Sequence, residues 1–512
     1  MRPARLAGLA ALSLGAACGT PAERDSARTA AVPDRTLHAT DTTLVIPQVD
    51  YEAAIYRTPG DPHPHLDLAR VDPARVVRRE RRAVILENEY VRLTVLPEMG
   101  RIYALVFKPT GHDVLWRNDT VTVGGGNNRN GWWIWIGGIE NTLPGDEHGT
   151  TWAVPWRWSL LEDTPARTTV RMEVTEPGSG LEETLDVSLV PGRADFALAV
   201  TIRNPTTRTV RFAHWINPQW APGGRNELTD DTEFVIPTES ILIAPNWQRN
   251  MGPSPQAWAG NRYRFIRGWA RMGDLMADGV RHGFYGAYSH DEDEGVVRVF
   301  DPRATPGVDV WTYGFHPTGI PMGSGAPSRG YVEMWGGTSR VYASETRPLA
   351  PGDSVAWTEW MYPFRGTRGL TFAERDLAVN FAVDRARGCG IVAATSSRAW
   401  RGEAELVEEG EAGRPRRVLE RWPLDLTPAR AFVREVDIRE AAPDDVGRLR
   451  LRVRPEGGGA AVYLPPELRS LGPGGRPSEV RAGATGPPAA SSRQAPPAAD
   501  AGARRRWSCA GG

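Results

Sequence analysis

From residue 83 to residue 361 the chain alternates short apolar runs with turn residues, and inside each run apolar and polar side chains tend to alternate. A period of two marks a strand with one covered face, because successive side chains on a pleated backbone point to opposite sides. Ala83-Val84-Ile85-Leu86 and Tyr90-Val91-Arg92-Leu93-Thr94-Val95-Leu96 are followed by a turn at 97–100 and another run at 101–107. Further strands are expected at 168–174, 183–189, 196–203, 210–216, 283–288, 296–300, 331–335 and 354–361. Convincing amphipathic helices are few. Short strands at regular spacing over this length predict an all-β chain built on a large antiparallel β-sandwich, here spanning 44–366.

A second unit follows at 390–468, with strand-like runs at 390–395, 403–407, 430–438 and 448–453. That is enough for a small Ig-like β-sandwich. The stretch 367–389 reads as a linker with a short helix, since Leu377, Ala378 and Phe381 fit one helical face. From 469 to 512 Gly, Pro, Ala, Ser and Arg dominate, a composition that cannot bury a core and predicts a disordered tail. Its end, Arg504-Arg505-Arg506-Trp507-Ser508-Cys509, has two readings: a functional basic tail, or a frameshifted or prematurely ended reading frame.

The net charge of the 512 residues is -1, so no global field recruits nucleic acid or an anionic membrane. Nearly all basic residues are Arg, with Lys108 the only lysine, so single arginines are weak functional signals. The N-terminus has the form of an export signal: Arg2 and Arg5, then a short apolar run from Leu6 to Ala17. Leu14-Gly15-Ala16-Ala17-Cys18 resembles a bacterial lipoprotein cleavage site, with Cys18 as the lipidated residue. The expectation is a signal at 1–18, a disordered tether at 19–43, and an exported protein held at a membrane through Cys18 or released as a periplasmic or extracellular protein.

Six tryptophans fall between Trp132 and Trp158, among Glu140, Asn141, Asp146, Glu147 and His148. Flat apolar faces beside carboxylates and an imidazole suit a sugar, which stacks C–H faces on indoles and offers hydroxyls to polar groups. Trp133 and Trp135 alternate with Ile134 and Ile136, so one row is core; Trp132, Trp152 and Trp156 are taken as the cleft residues, with Asn141 beside them. Gly124-Gly125-Gly126-Asn127-Asn128 reads as a loop over the cleft, and Gly137-Gly138 as a place for close backbone approach to a ligand. Acid/base chemistry at an anomeric centre needs groups that hold and release protons near neutral pH; Glu140, Glu333, His148 and His214 are the candidates. Glu359, between Trp357 and Met361 on one face, needs a partner or a ligand, and an arginine is the bland answer. Solvated loops or core positions remain the structural alternatives for each. His290-Asp291-Glu292-Asp293-Glu294 reads as a solvated acidic turn rather than a calcium site, and His63 and His65 lack a third ligand. No phosphate-cradling loop, zinc motif or nucleophile elbow appears, so no cofactor or metal is expected.

Two segments carry a resemblance: Leu86-Glu87-Asn88-Glu89-Tyr90-Val91-Arg92-Leu93-Thr94-Val95-Leu96-Pro97-Glu98-Met99-Gly100-Arg101-Ile102, and Tyr331-Val332-Glu333-Met334-Trp335-Gly336-Gly337 running on to Trp360, with Gly137-Gly138-Ile139-Glu140 between. The chain resembles the bacterial domain-of-unknown-function family 5107, similar in fold to galactose mutarotase. In this copy Arg101 stands where a second glycine is frequent. The resemblance implies a β-supersandwich with a sugar cleft on a concave face, and favours a role for His214, since mutarotase-like proteins place a His on such a strand. Many relatives carry helical repeats after the small β unit, which favours the truncated reading of the tail. The ligand expected is a sugar or oligosaccharide. Epimerisation and glycoside hydrolysis stay open, as do a non-catalytic glycan-binding or scaffold role and a uronic-acid lyase.

Overall fold

A computed structural model describes residues 37–315, 330–410, 415–441 and 446–469. Two large antiparallel sheets lie face to face. One has fourteen strands and the other eight, the latter ordered from Arg157–Asp163 at one edge to Thr232–Val235 at the other. The strands Arg101–Phe107 and Phe196–Arg203 have the bounds the alternation predicts, and most others differ by a few residues. Between the sheets lies the main core, including Leu93, Ile102, Ile139, Leu198, Ile216, Val310 and Met334. These are the apolar members of alternating strands, which is why the period of two read them correctly.

Three sequence expectations change. The tether ends early, because His38–Val49 is a twelve-residue strand paired along its length with Val76–Glu87. The stretch 210–216 is broken: Val210–Phe212 pairs with Arg347–Leu349, and the chain re-enters the large sheet at Trp215–Pro218. The helical linker does not exist. Phe372–Glu374 and Leu377–Asp384 are strands, and all eight residues of the second are buried. Leu377, Ala378 and Phe381 match a helical face only because every position of this strand is covered, which erases its period.

The small sandwich, a five-stranded and a four-stranded sheet, shares a core with the eight-stranded sheet: Phe284, Tyr288 and Phe364 pack with Phe372, Phe381 and Trp400. Glu233 accepts from Arg264, His290 and, across the two units, Arg469, at 2.6, 2.9 and 2.7 Å. His290 therefore belongs to a buried ion cluster. Asp230, Asp231 and Asp291 form a separate acidic group whose ligand atoms lie within 4.8 Å of one another.

An ion pair is sealed within the large sandwich. Glu359 takes both oxygens to Arg298 at 2.6 and 2.7 Å and accepts from Trp357 Nε1 at 2.9 Å. Arg298 Nη1 lies where a Cβ on Gly336 would come within 2.1 Å, so the opposite sheet needs a glycine there. Glu359 is thus a structural anchor, paired with an arginine, and not a substrate contact. Replacing it with Gln strands a buried guanidinium, and the expected cost is about 3–5 kcal/mol in denaturant unfolding. A cost below ~1 kcal/mol would contradict this placement.

Candidate functional site

The fourteen-stranded sheet curls at one end. Its order runs Ile139–Thr142, Arg101–Phe107, Val91–Leu96, Val76–Glu87, His38–Val49, Arg117–Gly125, Trp132–Gly137. The last strand leads through Gly138 straight back into the first. Gly137 pairs with Arg117 on one side while Ile139 pairs with Ile102 on the other, so the path closes on itself. Gly137 and Gly138 have φ of 102° and 81°. A Cβ would come within 2.5 Å of Trp116 O at the first and 2.2 Å of Ile102 O at the second. The close approach these glycines permit is to the chain's own strands.

On the face of this sheet turned away from the main core, polar residues form a row. Ile139 opposite Ile102 sets Arg101 beside Glu140, whose oxygen lies 3.7 Å from Nη2, and Arg101 Nη1 donates to Gly137 O at 2.8 Å. Asn217 is opposite Glu140. Next come Trp335 and Glu333, paired with Asp309 and Trp311, and then Asp274, opposite Trp311. Trp116, Trp135, Trp311, Tyr313 and Tyr331 cluster around this row.

His148 reaches Glu140 because the chain turns sharply after Thr142. Gly149 N donates to Asp146 O at 2.9 Å and Thr150 N to Leu143 O at 2.9 Å, closing the loop. His148 sits at φ 57°, a left-handed conformation uncommon for a residue with a Cβ and frequent at ligand sites. Its amide donates to Tyr342 Oη at 2.8 Å, and its Nδ1 lies 3.2 Å from Glu140 Oε2. The ring lies between Trp133 and Trp335, with centroids 4.8 and 5.3 Å away. Glu333 accepts from Tyr331 Oη at 2.5 Å and Trp335 Nε1 at 3.0 Å.

The electrostatics separate these groups. Burial opposes the charge on Glu140, but His148 and Arg101 outweigh it and hold the carboxyl below its usual range. Burial also opposes charge on His148, yet Glu140, Glu333 and Glu147 raise its pKa to about 9. For Glu333 burial prevails over His148 and the two hydrogen bonds, and its pKa rises to about 7. Asp309 and Asp274 share a hydrogen bond; burial and mutual repulsion raise Asp309 well above the carboxylate range, and burial raises Asp274. Buried polar atoms without partners among the described residues gather here too: Arg101 Nη2, Asn217 Oδ1 and Trp133 Nε1.

Glu140, His148 and Glu333 are therefore brought together, and His214 is not. His214 Nε2 pairs with Glu183 at 3.0 Å between the sheets, edge-on to Trp357. Alternation put it with Phe212 and Ile216, and that face is the core. The tryptophan rows are reversed from expectation. Trp133 and Trp135 belong to the site, seated where Cβ atoms on Gly126 and Gly124 would come within 2.5 and 2.7 Å of their rings. The glycine run is thus partly strand and a bed for indoles, not a loop over a cleft. Trp156 is core, and its Nε1 donates to Thr151 O. Trp132, and Trp152 from the turn Thr151–Ala153, wall a separate hollow on the other side of the strand Trp132–Gly137. Asn141 points away from Glu140 and donates to Gly100 O at 2.9 Å. Cys18 lies outside the described residues.

Sequence reasoning missed Arg101, Asn217, Asp274, Asp309, Trp311 and Tyr331. The signals were present: Val308-Asp309-Val310-Trp311 alternates, and Tyr331, Glu333 and Trp335 share a parity.

The family model for a domain of unknown function, DUF5107, matches residues 70–363. The chain belongs to this family. It is also similar in structure to a TPR-domain containing protein from Parabacteroides distasonis, with 21% identity and TM-score 0.51, over 64% of this chain and 55% of that one. The match thus spans little more than half of that protein's length. Weaker likenesses include galactose mutarotase-like proteins from Lactobacillus casei (12% identity, TM-score 0.38, 55% of this chain and 99% of that one) and Clostridium acetobutylicum (10%, 0.40, 56% and 96%).

The two raised pKa values make stability depend on pH. A His at about 9 when folded and 6.5 as a model group contributes stability fully below 6.5 and loses it as pH rises to 9. Glu333, raised from 4.5 to about 7, likewise favours the fold at low pH and loses that contribution by pH 7. Unfolding free energy should fall between about pH 6.5 and 9, and His148→Asn should flatten that slope. In the NMR titration of His148 Hε1, Glu140→Gln should lower the midpoint. An unchanged midpoint would contradict the assigned cause.

Proposed function

We propose that the face carrying Glu140, His148 and Glu333 binds a sugar or short oligosaccharide and performs acid/base chemistry at its anomeric centre. The observation that carries this reading is the separation of two buried pKa values on one aromatic-walled face, about 7 for Glu333 and about 9 for His148. Between those values a carboxylate base and an imidazolium acid coexist, which is what ring opening at an anomeric carbon requires. Glu333 would take the proton of the anomeric hydroxyl while His148 protonates the ring oxygen and the bond between that oxygen and the anomeric carbon breaks. Rotation about the freed aldehyde, followed by the reverse transfers, closes the other anomer and returns both protons. Glu140 holds the imidazolium and Arg101 holds Glu140, which makes both positioning residues.

The same observations favour epimerisation over hydrolysis. Hydrolysis needs one carboxylic acid and one carboxylate across the bond; Glu333 could serve as the acid, but both oxygens of Glu140 are turned to His148 and Arg101 rather than left free to face it. They also argue against a uronic acid. The buried arginine is engaged with Gly137 and Glu140, and His148 with Glu140, so neither cation is free to clamp a sugar carboxylate.

Polarimetry of aldose mutarotation tests this. kcat/KM should be level between about pH 7 and 9 and fall on both sides. Glu333→Gln should cut turnover about 100- to 10,000-fold. Turnover unchanged by Glu333→Gln would remove Glu333 from the chemistry, and a chain that binds sugar without turning it over would be a glycan-binding module instead. Export belongs to the same proposal: the mature chain should begin at Cys18 and carry acyl groups by intact mass. An unacylated N-terminus at another residue would discard the anchor.

A further inference from the structure

The closed end of the large sheet has an inside. Ile46, Ala83, Tyr103, Val121, Trp132, Ile134, Ile136 and Trp152 form a core of their own within the curl. At its mouth is a hollow of about 240 Å³ whose walls include Tyr51, Met99, Trp132, Ile134 and Trp152. Mouths of curled or barrel-like sheets are common ligand positions. The strand Trp132–Gly137 separates this hollow from Glu140, because Trp132 and Ile134 face one way and Trp133 and Trp135 the other.

Size and lining define what fits. The hollow is larger than the roughly 150 Å³ cavity that holds a benzene ring and smaller than the roughly 300–1,000 Å³ of pockets for drug-sized ligands. One six-membered ring with small substituents suits it. Two indoles meet at the wall, Trp132 and Trp152, with centroids 4.6 Å apart and planes at 84°. Trp132 Nε1 is committed to Pro64 O at 3.0 Å. Trp152 is only 7% exposed, yet its Nε1 has no partner among the described residues. That N–H is covered by protein, so the hollow's polar chemistry lies at its rim. The rim adds Glu52, Glu98, Arg81 and Arg82, of which Arg82 and Glu98 are exposed. Indole and tyrosine faces inside a mixed polar rim match a ring with C–H faces and hydroxyl edges.

We infer that the mouth of the curled sheet is a second binding site, for one pyranose ring of a neutral glycan, on the opposite side of the strand Trp132–Gly137 from Glu140. The choice of a sugar as ligand rests on the carbohydrate reading of the neighbouring face; the existence of a ring-sized site does not. A glycan could then be held by one residue here while another unit occupies the acid/base face.

Calorimetric titration with a panel of neutral methyl glycosides, which cannot mutarotate, tests this in the full chain. The wild type should take two equivalents of a recognised glycoside. Trp152→Phe removes one of the two indole faces, and Ala153→Phe, at the lining beside it, fills the hollow without removing a wall; each should take one. Near-UV circular dichroism confirms that both variants fold. Two equivalents in wild type and both variants would overturn the inference, as would a single equivalent in all three. If the acid/base face binds no sugar, the wild type takes one equivalent and both variants none, which sinks that reading and keeps this one. No binding in any protein overturns both.

Discussion

Two glycines decide the architecture of the functional end of this molecule. At Gly137 and Gly138 the edge strand of a large sheet turns directly into a strand at its interior, pressed against Trp116 and Ile102 so closely that no Cβ fits. Gly138 N donates to Trp116 O, and Gln219 N donates to Gly138 O, so the junction is stitched to both neighbours. The result is a sheet that curls on itself at one end and stays open elsewhere. Glu140 comes to lie beside Arg101, and the two faces of the tryptophan-bearing strand are assigned to two different spaces.

The open face beyond that junction is unusually acidic for a buried surface. Four carboxyls, Glu140, Glu333, Asp274 and Asp309, line it with one arginine and one histidine. Such a face is tolerable because the charges are not all present together. Glu140 is held ionised beside the imidazolium, burial and Asp274 push Asp309 toward its protonated form, and Glu333 titrates near neutrality. Unpaired polar atoms and a left-handed histidine add further cost, and such costs concentrate where a protein handles a ligand. Stability is supplied elsewhere, by the apolar layer between the sheets, while sealed pairs such as Arg298–Glu359 hold their geometry.

Much of this was legible in the chain. Strands with one covered face announce themselves by alternation, and the runs at 101–107 and 196–203 have the bounds that alternation predicts. Leu377–Asp384 was misread as helical because a strand buried on both sides has no period to detect. Glu140, His148 and Glu333 stood out because carboxylates and a histidine among tryptophans and glycines are chemically conspicuous. Asp309 and Asp274 did not, because their strands were not recognised and nothing near them in sequence is unusual.

The sequence alone determined parity: which residues of each strand share a side, and therefore that His214 goes with Phe212 and Ile216, and that Trp133 and Trp135 oppose Trp132 and Ile134. It could not determine which side of each strand meets the second sheet. That depends on where a strand sits among partners hundreds of residues away and on the direction in which the sheet curls. Tertiary structure made that choice for His214, which became a core residue on Glu183. It made the same choice for the tryptophans, sending one row to the face that carries Glu140 and His148 and the other to the hollow behind it. Parity is a local property of a pleated chain, whereas the identity of the covered face is a property of the whole packed molecule.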